Sequence, residues 1–423
     1  MHAVADRVTY RGTQLFLNDK PLHRVSAFGS SSSFNKEDLL ELGSQGLVEI
    51  IDDIPNVDIS LDVNEYGSIQ TLNLLANNDI NSKSVDFAND FENALVDFYI
   101  TVRASPEEVW TQYIDKASVV TANYNFGVEG NFTERYSLQA DNKLWFLNGA
   151  KFVVSREVIA DEEGTISITF SGTPIKVLSV LLDDVRDEDV NAVIDGNDVI
   201  VTSADITVGT KVKVRVAGLE PNEWEKDKNS VGAKRRGHIE IYLLTDVNYN
   251  PSTRKIVSCE EHLIRKAQSL DIEASIDRDA LKELGRHKVY ARPMEYPMHV
   301  DATLEVMMAE LDIFAKLAGK DISSANELSV DKFRKDLGLR VKIYERSDIE
   351  KFSQFQSRGL IKQFDIPYLI PVDSSLGLTL GENANQSFTF RSHELFVYDK
   401  VVFISVDTVL FGVAEAQQSI RVW

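Results

Sequence analysis

The sequence has little of what several protein classes require. Its one cysteine, Cys259, excludes an intrachain disulfide framework and a multi-cysteine zinc site. Ten prolines and 22 glycines among 423 residues are too few for a collagen-like or disordered chain. No apolar run approaches the roughly 20 residues of a membrane-spanning helix, and residues 1–7 lack the apolar stretch of a secretion signal. We therefore expect a globular chain without a membrane span or a secretion signal.

The motifs of catalysis are also missing. The sequence contains no phosphate-binding loop, dinucleotide-binding fingerprint, zinc-protease motif or serine-hydrolase elbow. The seven histidines are not placed at metal-ligand spacing, and a lone cysteine is more often a small core residue than a nucleophile. We therefore predict no catalytic, cofactor-binding or metal-binding residue, and we do not expect an enzyme.

The charge is strongly acidic. Asp and Glu number 66 against 45 Lys and Arg, which gives a net charge of −21. Tight binding to DNA or RNA depends on Lys and Arg that displace counterions, so this chain is not expected to coat nucleic acid. The same charge is compatible with a protein that nucleic acid passes without adhering to it.

The most informative feature is an internal repeat. Short matches recur at a single offset of 242 residues, which is the mark of a duplicated structural unit. The matches are Glu41-Leu42-Gly43 with Glu283-Leu284-Gly285, Pro55 with Pro297, Leu75-Ala76 with Leu317-Ala318, and Ser105 and Glu108 with Ser347 and Glu350. We therefore predict two related units in one chain.

Each copy is predicted to hold two short helices. Residues 36–42 and 278–284 are interpreted as helices ended by Gly43 and Gly285, since glycine tolerates the left-handed conformation of a helix end. Residues 105–108 and 347–350 are interpreted as capping boxes that begin a second helix in each unit.

Each copy also has a strand of strict alternation. Residues 46–51 and 57–63 are predicted to pair as a hairpin around Pro55, and residues 288–292 and 300–306 as its copy around Pro297. Apolar residues alternate with polar ones along the second strand, so one face is buried and the other is wet. The polar residues of the two copies are Asp58, Ser60 and Asp62, and Asp301, Thr303 and Glu305.

The remaining segments complete a mostly β, α+β fold. Each unit continues with predicted strands at 96–103 and 119–126, or 339–346 and 361–368, and then with a final ribbon. Residues 149–220 contain strands and turns without a helix signal, as in a small immunoglobulin-like β-sandwich. We divide the chain into a first unit (1–150), the β-sandwich (151–222), an exposed basic linker (223–237) and a second unit (238–423).

At this point the chain resembles the tail tube, or major tail, proteins of bacteriophages. Residues 15–25 are similar to the family's first strand and turn, residues 41–65 to its first hairpin, and residues 124–138 to its late strand-turn-strand. The second copy keeps residues 263–269 and the hairpin, and departs after Tyr368, where Pro371, Gly377 and Gly381 occupy a longer loop.

The resemblance implies a structural virion protein with no cofactor. Each unit would donate strands to a β-barrel around a channel, and stacked rings would form the viral tail tube through which DNA passes during genome ejection. Six units per ring would correspond to a homotrimer forming a pseudo-hexameric ring, with a hexamer of chains as the alternative. The chain would be made in the host cytoplasm and located in the virion tail, whether contractile or not.

The resemblance also implies partners and a channel wall. The partners are other copies of the chain, the tape measure, terminator and baseplate proteins, and DNA in transit without specific binding. The sandwich would decorate the outside of the tube. We expect Asp58, Ser60, Asp62, Asp301, Thr303 and Glu305 to line the channel, where a negative wall would let DNA slide.

Other interpretations stay open from the sequence alone. The six polar residues could simply face solvent on a half-buried sheet. The protein could be a baseplate hub or a tube-terminator ring, or a carbohydrate-binding adhesin that uses the β-sandwich. Rings or tubes with a central hole would favour the first class, whereas a monomer with affinity for glycans would favour the adhesin.

Overall fold

The computed structural model describes residues 13–33, 36–40, 47–52, 55–65, 67–103, 109–146, 152–183, 185–186, 190–218, 233–282, 289, 291–307, 311–320, 334–345, 359–377 and 385–399. Strands hold 64% of these residues and helices 6%. The sheets are antiparallel throughout these ranges. The prediction of a mostly β fold is therefore confirmed.

The first unit comprises residues 13–146 and has eleven strands and two short helices within its described ranges. The strands are β1 (Thr13–Leu17), β2 (Lys20–Pro21), β3 (Val25–Ser33), β4 (Lys36–Leu40), β5 (Leu47–Asp52), β6 (Asn56–Asn64), β7 (Ser84–Asp86), β8 (Val96–Arg103), β9 (Val109–Gly127), β10 (Thr133–Ala140) and β11 (Asn142–Phe146). The helices are α1 (Gln70–Leu75) and α2 (Phe87–Asp90).

The second unit comprises residues 239–399, and a 3-10 turn at Arg236–His238 precedes it. Its described strands are β19 (Ile239–Asn250), β20 (Lys255–Leu263), β21 (Ala267–Ser275), β22 (His299–Met307), β23 (Gly338–Tyr344), β24 (Leu360–Pro367), β25 (Ile370–Gly377), β26 (Asn385–Ser392) and β27 (Phe396–Asp399). Helix α3 (Leu311–Leu317) ends 242 residues after α1, at the leucine that the sequence repeat matches.

Residues 152–218 form the β-sandwich between the two units. Its strands are β12 (Phe152–Ile159), β13 (Thr165–Thr169), β14 (Pro174–Leu182), β15 (Val185–Arg186), β16 (Asn191–Asp195), β17 (Asp198–Thr202) and β18 (Lys211–Gly218). One sheet has the order β12-β18-β14-β15 and the other β13-β17-β16. Together they enclose a separate apolar core that includes Ile168, Val199 and Val214.

The two units share one continuous sheet. We call this the front sheet, and its order is β3-β6-β10-β9-β21-β22-β26-β25. Strand β9 has 19 residues, because its first half pairs with β8 and β11 while its second half pairs with β10 and β21. The link between the units is therefore a β-ladder, made by Thr121–Gly127 and Ser269–Ser275.

Two further sheets lie behind the front sheet. The first back sheet has the order β2-β1-β8-β9-β11, and the second has the order β20-β19-β23-β24-β27-β7. One apolar core joins all three, since residues such as Ile59 of the front sheet and Phe98 and Val341 of the back sheets belong to the same buried cluster. The molecule therefore has two layers in both units, with the core between them.

Several local predictions were wrong. Residues 36–40 are not helical but form β4, which pairs with β5. Strand β5 therefore does not form the predicted hairpin with β6, which pairs with β3 and β10 instead. The local sequence has good helix formers, but its partner strand is rich in the β-branched residues that favour a ladder, and tertiary pairing overrides the weak local preference.

The predicted helix after residue 108 is also wrong, because β9 begins at Val109 and continues without interruption. Residues 278–282 contain isolated bridges instead of a helix. There, the Arg278 guanidinium donates hydrogen bonds to carbonyl oxygens of Phe91, Val119 and Arg292, the first two of which belong to the first unit. The capping boxes at 105–108 and 347–350, the glycine-ended motifs at 41–43 and 283–285, and boundaries 150/151 and 222/223 lie outside the described residues.

The end of the basic linker differs from the prediction. Residues 219–232 lie outside the described ranges. Lys234 was predicted to be exposed, but it is 3% exposed. Its ammonium donates to the Glu345 carbonyl oxygen at 3.3 Å, and its backbone N–H donates to the Glu65 carbonyl oxygen at 2.8 Å. This lysine is buried because its backbone is bonded to the first unit while its side chain reaches the second unit.

Candidate assembly interface and acidic face

The six residues predicted to line a channel lie on one face of the front sheet. On β6, Asp58 and Ser60 are exposed and Asp62 is half-buried, while their apolar neighbours are buried. On β22, Asp301 and Thr303 are half-buried and Glu305 is exposed, again between buried apolar residues. The two strands are separated by β10, β9 and β21. The alternation predicted from the sequence is confirmed, and the polar sides of both strands lie on the same surface of the front sheet.

The structure adds further charged residues to this surface, which we call the acidic face. Asp271 and Glu273 on β21 lie opposite Thr303 and Asp301, and Asp373 on β25 lies opposite Thr389. Asp271 and Glu273 alternate with buried Leu270, Ile272 and Ala274, so the same alternation in the sequence could have identified them.

Two arginines partly balance the carboxylates of the acidic face. The Arg135 Nε lies 2.9 Å from an Asp62 oxygen, and the Arg391 Nε lies 2.7 Å from an Asp301 oxygen. Both pairs are largely exposed, so each contributes little to stability. Seven carboxylates and two guanidinium groups share the face across the eight strands, which leaves it negative.

The two halves of the front sheet have the same strand pairing. Strand β3 pairs with β6 as β21 pairs with β22, and in both ladders the register shifts at the equivalent point, between Val25 and Ala27 and between Ala267 and Ser269. Strand β10 pairs with β9 as β26 pairs with β25, again with a register shift at the same place. Because bulges are specific features of a strand, the two four-strand halves are structural copies of each other.

This equivalence defines two kinds of sheet edge. Inside the chain, the last strand of the first half, β9, pairs with the first strand of the second half, β21. We call this ladder the internal joint. The corresponding outer strands, β3 and β25, have one partner each among the described residues. On β25, Ile370, Val372 and Leu376 are each about half exposed (54, 53 and 48%). Unpaired strand edges with apolar residues are templates for another chain.

A buried charge cluster lies behind the internal joint. The Lys362 ammonium from the second unit contacts Glu134 and lies 2.6 Å from Glu65, both from the first unit. All three side chains are at most 3% exposed. The Tyr136 hydroxyl donates to Glu134 at 2.5 Å, and the Gly67 N–H donates to Glu65 at 2.5 Å.

The three groups of this cluster have shifted protonation equilibria. Burial, together with the neighbouring Glu134 carboxylate, raises the pKa of Glu65 to about 8 in spite of Lys362. Burial also acts to raise the pKa of Glu134, but Lys362 and several hydrogen bonds outweigh it and hold that pKa below its usual range. One ammonium, one carboxylate and one protonated carboxyl group form a neutral set, which is the least costly state for buried ionisable groups.

The β-sandwich packs on the side of the first back sheet that faces away from the front sheet. Val153 of the sandwich joins Phe16, Tyr99 and Tyr113 in one apolar cluster. Arg215, 2% exposed, contacts Asp97 and lies 2.8 Å from Asp19. Burial acts to raise the pKa of Asp19, but Arg215 and Lys213 outweigh it and hold that pKa well below its usual range. The sandwich is thus fixed by an apolar contact and a buried ion cluster.

Comparisons with known proteins identify no family for this chain. No protein-family model matches the chain, and no curated protein matches it significantly. Within the described ranges, no helix is long and apolar enough to cross a membrane. The same ranges contain no group of three or more His, Cys, Asp or Glu side chains arranged to hold a metal ion.

Proposed function

We propose that this protein is a structural virion protein whose copies join edge to edge into rings, which stack into a phage tail tube. The observation that carries the proposal is the equivalence of the internal joint with the two open edges of the front sheet. Strand β21 pairs with β9 at the internal joint. Strand β3 is the structural copy of β21, and β25 is the structural copy of β9. If β25 of one chain pairs with β3 of the next chain, the sheet continues between chains through the same kind of ladder as the internal joint.

A head-to-tail contact of this type closes into a ring when its rotation returns to the start. Three copies of the eight-strand front sheet make a 24-stranded barrel. At about 4.8 Å between strands, its circumference is about 115 Å and its diameter about 37 Å before any strand tilt. Barrels of 16–18 strands already leave an aqueous channel. A trimer of chains, with six units, therefore supplies an open channel, in agreement with the resemblance to tail tube proteins.

The layer order supports an acidic wall for that channel. One side of the front sheet is covered by the two back sheets, and the sandwich lies behind the first of these. In a closed barrel these bulky layers fit outside, which leaves the acidic face inside. Like charge on the wall and on DNA opposes binding, so DNA in transit would slide. The tape measure, terminator and baseplate proteins are the expected further partners in the virion tail.

Electron microscopy of the purified full-length chain tests this proposal. We expect rings with a central hole, and stacked rings or tubes at high protein concentration. Rings that never stack would favour the tube-terminator or baseplate-hub alternative. A protein that stays monomeric at every concentration, with its β3 and β25 edges free, would contradict the proposal.

A further inference from the structure

Two grooves occupy equivalent places beside the front sheet. One lies at the internal joint and is lined by residues 239–241 and 264–269 together with Phe126 and Phe132; its volume is about 260 Å³. The other lies at the open β3 edge and is lined by the corresponding residues 13–15 and 22–27; its volume is about 650 Å³. The backbone shows the same correspondence. The Leu22 N–H donates to the Leu15 carbonyl oxygen, and the Ile264 N–H donates to the Ile241 carbonyl oxygen.

The smaller groove is small because the first unit fills it. Phe126 and Phe132 enter from the β9 side, in edge-to-face contact with each other at 5.2 Å between ring centroids. The Val128 N–H donates to the Gln268 carbonyl oxygen at 3.0 Å and continues the ladder past β9. The open groove at β3 has no such occupant among the described residues, and the difference of several hundred cubic ångströms is the space of a few side chains.

The exposure of equivalent residues agrees with a missing occupant. Behind the internal joint, Leu270, Lys362 and Phe364 are all fully buried. Their counterparts by strand register, Phe28, Trp110 and Gln112, line the open groove. Phe28 and Trp110 are only half-buried. The Trp110 ring also contacts the Trp145 ring, with 5.1 Å between the ring centroids, so a pair of apolar rings lies beside the open edge.

We propose that the open groove beside Phe28 and Trp110 is the socket for the β25 edge of a second copy of this chain. This inference rests on the proposed ring and names its contact surface. By the register of the internal joint, Ser31 of one copy lies opposite Ser375 of the next, as Glu273 lies opposite Asn123. Leu376 then takes the place that Tyr124 has at the internal joint and enters the socket.

The side chains on the β25 side match this socket. Where the internal joint has Glu134 and Tyr136 on β10, the register places Gln386 and Phe388 on β26. Trp110 replaces Lys362, so the ionic groups of the internal joint have neutral counterparts on both sides of the open edge. The chemistry that fits the groove is therefore an apolar strand edge, which this chain itself carries.

Cysteine cross-linking of the full-length chain tests the register. The experiment uses Ser31→Cys with Ser375→Cys in a Cys259→Ser background. The two positions lie on the outermost strands of an eight-strand sheet, so at about 4.8 Å per strand they are too far apart to bond within one chain. We expect disulfide-linked dimers and trimers on oxidation. Asn123→Cys with Glu273→Cys is the matched control and should link within a single chain.

A second variant tests the socket independently of cysteine chemistry. Trp110→Ala should raise the protein concentration needed for ring assembly about tenfold or more, while Trp110→Phe should retain most of the assembly. Rings in the microscope without a Ser31–Ser375 cross-link, although the control pair links, would overturn the socket and leave the ring proposal standing. Ser31→Cys that links equally well to Asp373→Cys would also overturn the socket, because the register would then not be fixed. The absence of any ring or oligomer would contradict both proposals.

Discussion

The two units share their strand pairing and differ in the side chains that meet a neighbour. At equivalent positions, Lys362 contacts two buried glutamates at the internal joint, whereas Trp110 lies half-buried beside the open edge. A buried ion cluster is a poor contact for an intermittent partner, because each dissociation would expose it and each association would desolvate it. The contact within the chain is permanent and can hold such a cluster. In the proposed ring, the joint between chains would therefore use neutral side chains, and the joint within the chain the ionic ones.

The rear surfaces of the two back sheets also differ in their side chains, and here the row covered within the chain is the apolar one. In the first unit, Phe16, Tyr99 and Tyr113 form a row across three strands and are covered by the sandwich. The corresponding row in the second unit is Tyr242, Arg340 and Asp365. There, Arg340 pairs with Asp365 at 2.7 Å and with Glu261 at 2.6 Å. The apolar row is covered by the sandwich, whereas Arg340 of the charged row is paired with Asp365 of the same row and with Glu261 of the neighbouring strand β20.

The largest expected effect concerns the internal joint. Lys362→Met removes the ammonium and leaves Glu65 and Glu134 facing each other in a dry site. Breaking a buried ion pair in this way costs about 3–5 kcal/mol of unfolding free energy. Urea denaturation at pH 7 measures the loss. The matched variant adds Glu65→Gln and Glu134→Gln and should recover most of it, since no buried charge remains; if it recovers nothing, the loss is due to packing and not to charge.

A slightly smaller effect is expected where the sandwich meets the first back sheet. Arg215→Met removes the buried partner of the Asp19 and Asp97 carboxylates. Because Lys213 still lies 2.8 Å from Asp19, we expect a loss near the lower end of the roughly 3–5 kcal/mol of a broken buried ion pair. Because the folded-state pKa of Asp19 is lowered, its contribution is present above pH 4 and is lost as the pH falls. The variant should therefore show a shallower loss of stability between pH 5 and pH 3. Arg156→Met, on an exposed sandwich position, is the control.

Glu65 should make the internal joint weaker as the pH rises. Its folded-state pKa, about 8, lies above the ordinary value of 4.5, so between these values the folded state binds more protons than the unfolded state. The unfolding free energy should then fall with rising pH, by on the order of 1 kcal/mol per unit between pH 5 and pH 8. Glu65→Gln should flatten this slope. An unchanged slope in that variant would assign the pH dependence to other groups.

The smallest effect on stability is expected on the acidic face. Asp58→Lys with Glu273→Lys changes two exposed positions and removes one exposed hydrogen bond, from the Asn56 amide to Asp58, so the unfolding free energy should change by less than about 0.5 kcal/mol. The same change should make assembled tubes retain DNA in a salt-dependent way and slow genome ejection. The control is Asp205→Lys with Glu162→Lys on the sandwich, which changes the net charge by the same amount. Unchanged DNA retention and ejection would leave the acidic face as a solvent surface only.

The sequence was informative where structure is local. Alternation along residues 57–63 and 300–306 correctly predicted two half-buried strands, and the same signal exists at residues 269–275. It failed where strand pairing overrides the local preference, as for β4, whose residues favour a helix but pair with the next strand, β5. Lysine and glutamate are ordinary surface residue types in a sequence. The cluster of Lys362, Glu65 and Glu134 is buried only because the chain brings together positions 228 and 297 residues apart. The internal joint likewise pairs strands that nothing local relates.

In the proposed ring, the β25 edge of one chain pairs with β3 of the next chain, as β9 pairs with β21 within one chain. A cryo-electron microscopy map of the assembled protein tests it most directly. We expect a ring of three chains with one continuous 24-stranded barrel, in which β25 of each copy pairs with β3 of the next and the acidic face lines the hole. A ring whose copies contact through the back sheets or the sandwich, with β3 and β25 unpaired, would contradict the account.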